Sequence, residues 1–182
     1  MKGIVFTEFL EIVEQKFGYE VVDELLNTTE LKSNGIYTAV GTYAHSEMVS
    51  LVYRLSEVTE VPTNVLLKTY GKHLFKSFST MYFYLMKDIV GAFEFLNAIE
   101  EYIHVEVKKL YPDAELPHFS NEMINEYSLI MTYHSTRKMA DLAEGLIEST
   151  FEHFKENATI TRKNLKEDGS VVQFMITKNV EN

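Results

Sequence analysis

The stretch "MTYHSTRKMADL", from Met131 to Leu142, marks the point where an alternating apolar run gives way to an amphipathic helix. Within it a tyrosine, a serine and an arginine stand two residues apart, at Tyr133, Ser135 and Arg137. Side chains two positions apart lie on the same side of an extended segment. If the strand continues to Arg137, the stretch therefore predicts three converging hydrogen-bonding groups just before a helix.

The sequence on both sides of this stretch predicts an antiparallel sheet with one long helix inserted. Upstream, "MINEYSLIMTYHS" at 123–135 alternates loosely, as a β-strand does. Downstream, residues 138–155 carry an apolar stripe at helical spacing. The segments "ATITRKNL" (158–165) and "SVVQFMITK" (170–178) are rich in β-branched residues and flank the turn-forming "KEDG", which predicts a hairpin.

The first two-thirds of the chain is predicted to be mostly α-helical. Apolar residues recur there at three- and four-residue spacing, and Gly18, Ser46, Pro62 and Pro112 stand at segment ends. The predicted helices cover residues 5–17, 19–27, 46–58, 62–78 and 89–111.

No linker-like segment separates these helices from the predicted sheet, so we expect a shared core. The expected fold is α+β: one domain over residues 1–182, with an N-terminal helical part (about 1–65) packed on a mixed α/β part (about 66–182) that holds an antiparallel sheet and a long helix. A chain of this length buries enough surface to fold independently.

Composition and charge disfavour several classes of function. The formal net charge of −10 repels phosphate backbones and anionic lipids, so we expect neither nucleic-acid nor membrane binding. The chain has no cysteine, which excludes disulfides, thiolate catalysis and cysteine-ligated metal centres within it. Glu8 and Glu11 interrupt the first apolar run before a signal-peptide core forms, and "MYFYLM" at 81–86 is far shorter than the roughly 20 residues of a membrane helix. We expect a cytoplasmic protein.

The triplet Tyr133, Ser135 and Arg137 is a candidate anion clamp. An arginine fork assisted by two hydroxyls suits a carboxylate or phosphate, and the start of the following helix adds backbone N–H donors. The same spacing also fits a polar strand edge with a surface arginine, and spacing alone does not separate the two.

His104 is the candidate metal ligand. It stands about 100° around the predicted helix from Ile103, at the border of the apolar stripe. No His, Asp or Glu follows at i+3 or i+4, where Lys108 stands, so a zinc triad is not indicated. A single imidazole suffices for a metal that brings most of its own ligands, as haem iron does. The alternative is a half-exposed structural histidine.

A haem would account for both features. Its macrocycle needs an apolar slot, which 12 phenylalanines and 8 methionines can help to line. Its propionates need cationic and hydroxyl donors, which the anion clamp supplies.

On these residues the sequence resembles the H-NOX family, the haem-based nitric oxide and oxygen sensors related to the haem domain of soluble guanylate cyclase. The resemblance rests on Tyr133-x-Ser135-x-Arg137, on His104 about thirty residues upstream, on Pro117 between them and on the opening "MKGIV". It covers essentially the whole chain.

The resemblance implies a role for each of these residues. His104 would be the axial ligand of the iron of haem b (iron protoporphyrin IX), the anion clamp would hold the propionates, and the haem would lie between the two parts of the fold. Pro117 would press on the macrocycle, and Gly71 and Gly145 would act as hinges.

The resemblance also implies which gas binds. Family members that hold dioxygen carry a distal tyrosine where this sequence has Leu142, and the other distal positions correspond to Val5, Phe9, Leu74 and Phe78. None of these side chains donates a hydrogen bond, which bound dioxygen needs and nitric oxide or carbon monoxide does not. We expect nitric oxide and carbon monoxide to bind and dioxygen to be excluded. The sequence does not place four tyrosines, any of which could reach the distal space: Tyr43, Tyr70, Tyr82 and Tyr84.

The resemblance further implies a signalling mechanism. Nitric oxide would weaken or break the bond between iron and His104, and the helical part would then shift relative to the sheet. The chain would act on a separate effector, such as a histidine kinase or a cyclic-di-GMP enzyme, and would not itself be an enzyme. Some relatives carry a cysteine-rich zinc site near the C-terminus, which this chain lacks.

Two other functions fit parts of the sequence. A haem enzyme would need a distal acid–base pair, for which His73 is the nearest histidine. A non-haem interaction module would use the anion clamp to bind a partner's carboxylate, with His104 in a structural role.

Overall fold

Helices occupy the first two-thirds of the chain and an antiparallel sheet with one long helix occupies the rest, which is the expected α+β architecture. The structure is a computed structural model that describes residues 1–179. The helices are α1 (Gly3–Phe17), α2 (Tyr19–Thr28), α3 (His45–Thr59), α4 (Thr63–Met81), α5 (Ala92–Ala98), α6 (His104–Leu110) and α7 (Ala140–Phe154). A 3₁₀ turn (Phe83–Leu85) follows α4, and a π-helical turn (Ile99–Ile103) joins α5 to α6. The strands are β1 (His118–Asn125), β2 (Ser128–His134), β3 (Ala158–Asn164) and β4 (Val171–Lys178).

The four N-terminal helices lie close to their predicted positions. Gly18 separates α1 from α2 with a φ of 91°, a conformation that glycine adopts without the steric penalty other residues pay, and its N–H bonds the Glu14 carbonyl at 2.9 Å. Pro62 stands at the N-cap of α4, where its lack of an N–H costs nothing.

The prediction of one continuous helix over residues 89–111 is wrong. The helix begins at Ala92, and a π turn over Ile99–Ile103 divides it directly before His104. π-Helical turns are rare in proteins and are found frequently at functional sites. Because the apolar stripe runs across the π turn, the spacing of the stripe predicts one uninterrupted helix.

The predicted single strand over 123–135 is also wrong. Residues 126–127 form a tight turn between β1 and β2, closed by a hydrogen bond from the Tyr127 N–H to Asn125 Oδ1 at 2.9 Å. No glycine or proline marks this turn, so its signal in the sequence is weak. The extended segment ends at His134, and Lys138 adopts a left-handed φ of 56° in the loop that leads to α7.

The sheet has the strand order β1-β2-β4-β3, and all neighbouring strands are antiparallel. Buried side chains alternate along the two central strands, and their registers match: Leu129 pairs with Ile176, Met131 with Phe174 and Tyr133 with Val172. One face of the sheet is therefore apolar and covered, as in an antiparallel sheet that packs on helices.

Two apolar clusters meet at α4. The first joins α1, α2, α3 and α4 and includes Leu66 and Tyr70, while the second joins the sheet, α5 and α7 and includes Phe75. The shared helix places the cavity described below between the helical part and the sheet. Within residues 1–179, no helix has the length and apolar character that crossing a bilayer requires.

Candidate functional site

A large apolar cavity lies between the N-terminal helices and the sheet. Its cavity volume is about 290 Å³. The walls come from the N-terminus of α1, the second half of α4, the segment from α5 to α6, the loop before β1, strand β2 and helix α7. Ligand cavities between structural layers are typically lined this way, with few polar groups.

His104 stands in the wall of this cavity with a side chain that is 15% exposed. Its Nδ1 atom lies 3.0 Å from Glu100 Oε1, and within residues 1–179 its Nε2 atom makes no hydrogen bond. The carboxylate therefore holds the proton on Nδ1 and leaves the Nε2 lone pair for a ligand. Burial lowers the pKa of His104 in spite of the neighbouring carboxylate, which favours the neutral imidazole that binds metals.

Glu100 belongs to this site although the sequence did not predict it. It lies four positions before His104, in the π turn, and not at the third or fourth position after it, where a zinc triad would place a further ligand. Glu100 Oε1 also accepts the Phe119 N–H at 2.8 Å, and Oε2 lies 3.0 Å from His118 Nδ1. Burial alone would raise the pKa of Glu100, but these hydrogen bonds and the two imidazoles lower it, so the carboxylate stays ionised.

All three residues of the anion clamp line the cavity. Tyr133 is 3% exposed on β2, and its hydroxyl accepts the Met139 N–H at 3.0 Å. Ser135 and Arg137 lie beyond the end of the strand, in a loop closed by a hydrogen bond from the Arg137 N–H to Ser135 Oγ at 3.2 Å. The strand ends at His134 and does not continue to Arg137 as predicted, but the loop that follows keeps Ser135 and Arg137 in the cavity lining with Tyr133.

Arg137 already binds a carboxylate in this structure. Its Nη2 atom lies 3.0 Å from Glu115 Oε2; the arginine side chain is 17% exposed and the glutamate 87%. The loop that carries Arg137 is tied to α3 by His45, whose Nε2 lies 3.1 Å from the Arg137 carbonyl. The guanidinium thus stands at the cavity mouth in a position where it pairs with an anion.

Pro117 and most of the predicted distal residues also line the cavity. Pro117 belongs to the loop between α6 and β1 and shares the cavity lining with His104. The distal residues in the lining are Val5, Leu74, Phe78 and Leu142. Phe9 lies elsewhere: it is buried, its ring packs edge-on against Tyr70 at 5.3 Å, and it lines a smaller pocket between α1, α3 and α4.

Of the four unplaced tyrosines, Tyr82 lines the cavity. Its hydroxyl lies 3.0 Å from that of Tyr111, which lines the cavity as well, and burial followed by Tyr111 raises the pKa of Tyr82. Tyr70 is fully buried and donates to the Val5 carbonyl, and Tyr43 accepts the Thr38 N–H at 2.8 Å. Tyr84 is 42% exposed and lies outside the lining.

Gly71 and Gly145 lie at the crossing of α4 and α7, with a Cβ placed on one only 3.1 Å from the Cα of the other. A Cβ at Gly71 would overlap the carbonyl oxygen of Leu142, and one at Gly145 would overlap that of Lys68. The two helices therefore touch backbone to backbone at a point one residue away from side chains of the cavity wall.

The residues present fit a haem. A neutral imidazole with a free Nε2 and a carboxylate behind it is the usual arrangement of a histidine that ligates a metal. Apolar walls suit the macrocycle, and a guanidinium with hydroxyls at the mouth suits the propionates.

Comparison with known proteins agrees with this fit. A family model described as "Haem-NO-binding" matches residues 2–162. The chain is 48% identical to the H-NOX protein of K. algicida in its Fe(II) unliganded crystal structure, with a TM-score of 0.95 over 100% of this chain and 98% of that one. It is 41% identical to the H-NOX of Shewanella woodyi in the Fe(II)CO state, with a TM-score of 0.84 over 100% of this chain and 98% of that one.

A more distant similarity is to an H-NOX protein of S. oneidensis in the Fe(II)NO state: 26% identity and a TM-score of 0.91 over 99% of this chain and 100% of that one. A search among curated proteins found no match.

Proposed function

Because the chain belongs to the H-NOX family of haem-binding gas-sensor domains, we propose that it senses nitric oxide at a ferrous haem b held by His104. The observation that carries the proposal is the state of that imidazole. Its Nδ1–H donates a hydrogen bond to Glu100, its Nε2 has no hydrogen-bond partner within residues 1–179, and it lines an apolar cavity that Arg137 also lines.

The haem iron would supply the coordination site at which the gas binds. Tyr133, Ser135 and Arg137 would hold the two propionates, and Arg137 would exchange Glu115 for one of them. Because Glu115 is 87% exposed, its release to water costs little.

Selectivity against dioxygen would follow from the apolar distal wall. Val5, Leu74, Phe78 and Leu142 line it and offer no donor. Tyr82 and Tyr111 also line the cavity, and we infer that their hydroxyls, 3.0 Å apart, pair with each other and not with a bound gas. A missing donor costs about 1–3 kcal/mol, or about one to two powers of ten in dioxygen affinity.

Signalling would begin when His104 is released from the iron. The loop with Pro117 and the wall helices α4 and α7 would then readjust around the Gly71–Gly145 crossing, and the helical part would shift relative to the sheet. A shift carries a signal only if a partner binds the two states with different affinity. We propose that this partner is a separate cytoplasmic effector, a histidine kinase or a cyclic-di-GMP enzyme. We also propose that carbon monoxide binds at the same haem as nitric oxide.

The observed contacts argue against a haem enzyme. His73 is the histidine that such an enzyme would need on the distal side, yet its Nε2 lies 3.2 Å from Glu8 Oε2 and the residue is outside the cavity lining. A distal acid–base pair is therefore missing from the residues that line this cavity. We propose a sensor rather than a catalyst.

Absorption spectroscopy of the reduced protein under argon, in air and with nitric oxide tests the proposal. We expect a Soret band, no persistent ferrous–dioxygen spectrum in air, and a new nitrosyl spectrum with nitric oxide. A protein without a Soret band after haem reconstitution would instead be an interaction module, and a stable dioxygen complex would overturn the assigned selectivity.

A further inference from the structure

A second group of potential ligands lies outside the haem cavity, between α1 and α4. Glu8 and Glu11 stand one turn apart on α1, and His73 stands opposite them on α4. One ligand atom from each of the three side chains lies within 4.8 Å of the other two. Nothing in the proposed sensing mechanism uses these residues.

Glu8 lacks a permanent cation. Its side chain is 10% exposed, and within residues 1–179 its ion-pair partner is the imidazole of His73 alone, 3.2 Å away. Burying a carboxylate is costly unless charge and hydrogen bonds compensate it, and a histidine is not a permanent cation as lysine and arginine are. The buried carboxylate is thus only partly compensated.

Glu11 adds a second negative charge at the same place. Its side chain is exposed, it receives a hydrogen bond from Gln15 Nε2 at 3.0 Å, and among the described residues no lysine or arginine forms a salt bridge with it. Two carboxylates therefore face one imidazole without a fixed positive charge between them.

We propose that Glu8, Glu11 and His73 bind a divalent transition-metal ion, with zinc as the best fit. One imidazole nitrogen and two carboxylate oxygens form a donor set of the kind that zinc accepts, and water completes the coordination. Calcium and magnesium prefer all-oxygen sites with more ligands, so they should bind far more weakly.

The geometry needs one small movement. Ligands bound at 2.0–2.2 Å in a tetrahedron stand about 3.4 Å apart, and the Glu8–His73 separation of 3.2 Å is already close to that value. The Glu11 ligand atom lies within 4.8 Å of the other two, so it needs to move inward by at most about 1.4 Å, which its exposed side chain permits.

A metal at this place would join two walls of the cavity. Val5 on α1 and Leu74 on α4, the residue next to His73, both line the cavity. The metal would hold α1 on α4 and so restrain the helical part. An effect on gas signalling rests on the proposed function, whereas metal binding itself does not.

Isothermal titration calorimetry of the haem-loaded full chain with zinc chloride, after removal of bound metal by a chelator, tests the proposal. We expect one equivalent of zinc to bind, magnesium chloride to give no heat of binding, and Glu11→Gln to weaken zinc binding by on the order of tenfold or more. His73→Gln should weaken it further. Circular dichroism and the Soret band report whether each variant is folded. Because Glu11 is exposed, replacing it should disturb the fold less than replacing His73.

Two control variants locate the ion. Glu14→Gln, an exposed glutamate on the same helix, should leave zinc binding unchanged. His118→Gln tests a different imidazole–carboxylate pair, in which the exposed His118 stands 3.0 Å from Glu100 with the His134 ring 5.7 Å away. The proposal is overturned if wild type takes up no zinc, if Glu11→Gln and His73→Gln both bind it unchanged, or if His118→Gln is the variant that loses it. A preparation that fails to bind haem can still be titrated, so failure of the gas-sensing proposal would be distinguishable.

Discussion

At the scale of single residues, His104 depends on Glu100. The carboxylate fixes the tautomer of the imidazole and raises its basicity as a ligand, and it is itself held by the Phe119 N–H. This pair is what turns a histidine at the border of an apolar stripe into a candidate iron ligand.

Replacing Glu100 should therefore weaken the proposed bond between His104 and the haem iron. We expect Glu100→Gln to lower the iron–histidine stretching frequency in resonance Raman spectra and to speed haem loss by about 10–100-fold, because a neutral amide polarises Nδ1–H less than a carboxylate. Glu101→Gln, at the exposed neighbouring position in the same π turn, is the matched control and should change neither quantity. Equal behaviour of the two variants would mean that Glu100 does not act through His104.

Residues 82 and 142 separate two explanations of dioxygen exclusion. We expect Leu142→Tyr to gain dioxygen affinity by about one to two powers of ten, because it adds a donor to an apolar wall. Tyr82→Phe should leave the spectrum in air unchanged if, as we infer, the wild-type hydroxyl donates to Tyr111. Absorption spectra of both reduced variants in air measure this. A dioxygen complex in wild type that disappears in Tyr82→Phe would assign the donor role to Tyr82 instead.

At the scale of secondary-structure elements, the contact of α4 with α7 joins the two apolar clusters. The helices touch at Gly71 and Gly145, where a side chain would overlap a backbone carbonyl. On the solvent side, Lys68 and Lys72 bridge to Glu144, Glu148 and Glu152.

Adding a methyl group at this crossing should destabilise the fold. We expect Gly145→Ala to lower the free energy of unfolding by about 1–3 kcal/mol, because the new Cβ meets the Lys68 carbonyl and forces the helices apart. Urea unfolding measures the loss. Glu152→Ala, at an exposed position on the same helix, should cost no more than about 1 kcal/mol. A Gly145→Ala variant as stable as Glu152→Ala would show that the helices separate without strain.

The charged side of the same crossing predicts a pH dependence. Burial alone would raise the pKa of Glu148, but its bonds to Lys68 and Lys72 lower it. A carboxyl whose pKa is lower in the folded state stabilises the fold above its unfolded pKa, and this contribution is lost as pH falls through the folded value.

The contribution of Glu148 should therefore shrink in acid. At neutral pH we expect the free energy of unfolding of wild type to exceed that of Glu148→Gln by on the order of 1 kcal/mol. The difference is small because both lysines are 36% exposed. The difference should vanish well below about pH 4, the usual range of a free glutamate. Urea unfolding across this range measures it, and a difference that grows in acid would contradict the sign.

The same elements show what local patterns reveal. The stripes and β-branched runs predicted α1 to α4, α7 and the hairpin of β3 and β4 within a few residues. They missed the π turn over Ile99–Ile103 and the turn after Asn125, because neither carries a glycine or proline and both interrupt a periodicity that the flanking residues continue.

At the scale of the whole molecule, the site is assembled from segments far apart in sequence. The resemblance pointed to His104, Pro117 and the anion clamp, all of which line the cavity. Which of Phe9 and Tyr82 reaches the cavity depends on how α1 packs against α4, and that is a non-local contact. Glu115, the anion partner of Arg137, depends likewise on the path of a loop. Local sequence does not encode such neighbours directly.

Two devices act between the halves of the molecule in this account. The proposed haem would connect the sheet to α4 and α1 across the cavity, and the proposed metal ion would connect α1 to α4 through Glu8, Glu11 and His73. A change at the iron would thus reach the helical part by way of α4, the helix that contributes to both apolar clusters.

The central claim is that His104 Nε2 binds the haem iron, and an imidazole rescue of His104→Gly tests it most directly. The absorption spectrum of the reduced variant is recorded without and with free imidazole, beside His118→Gly as a control for an exposed histidine. We predict that His104→Gly loses the histidine-ligated spectrum of wild type, that imidazole restores it, and that His118→Gly never loses it. A His104→Gly spectrum identical to that of wild type without imidazole would contradict the account.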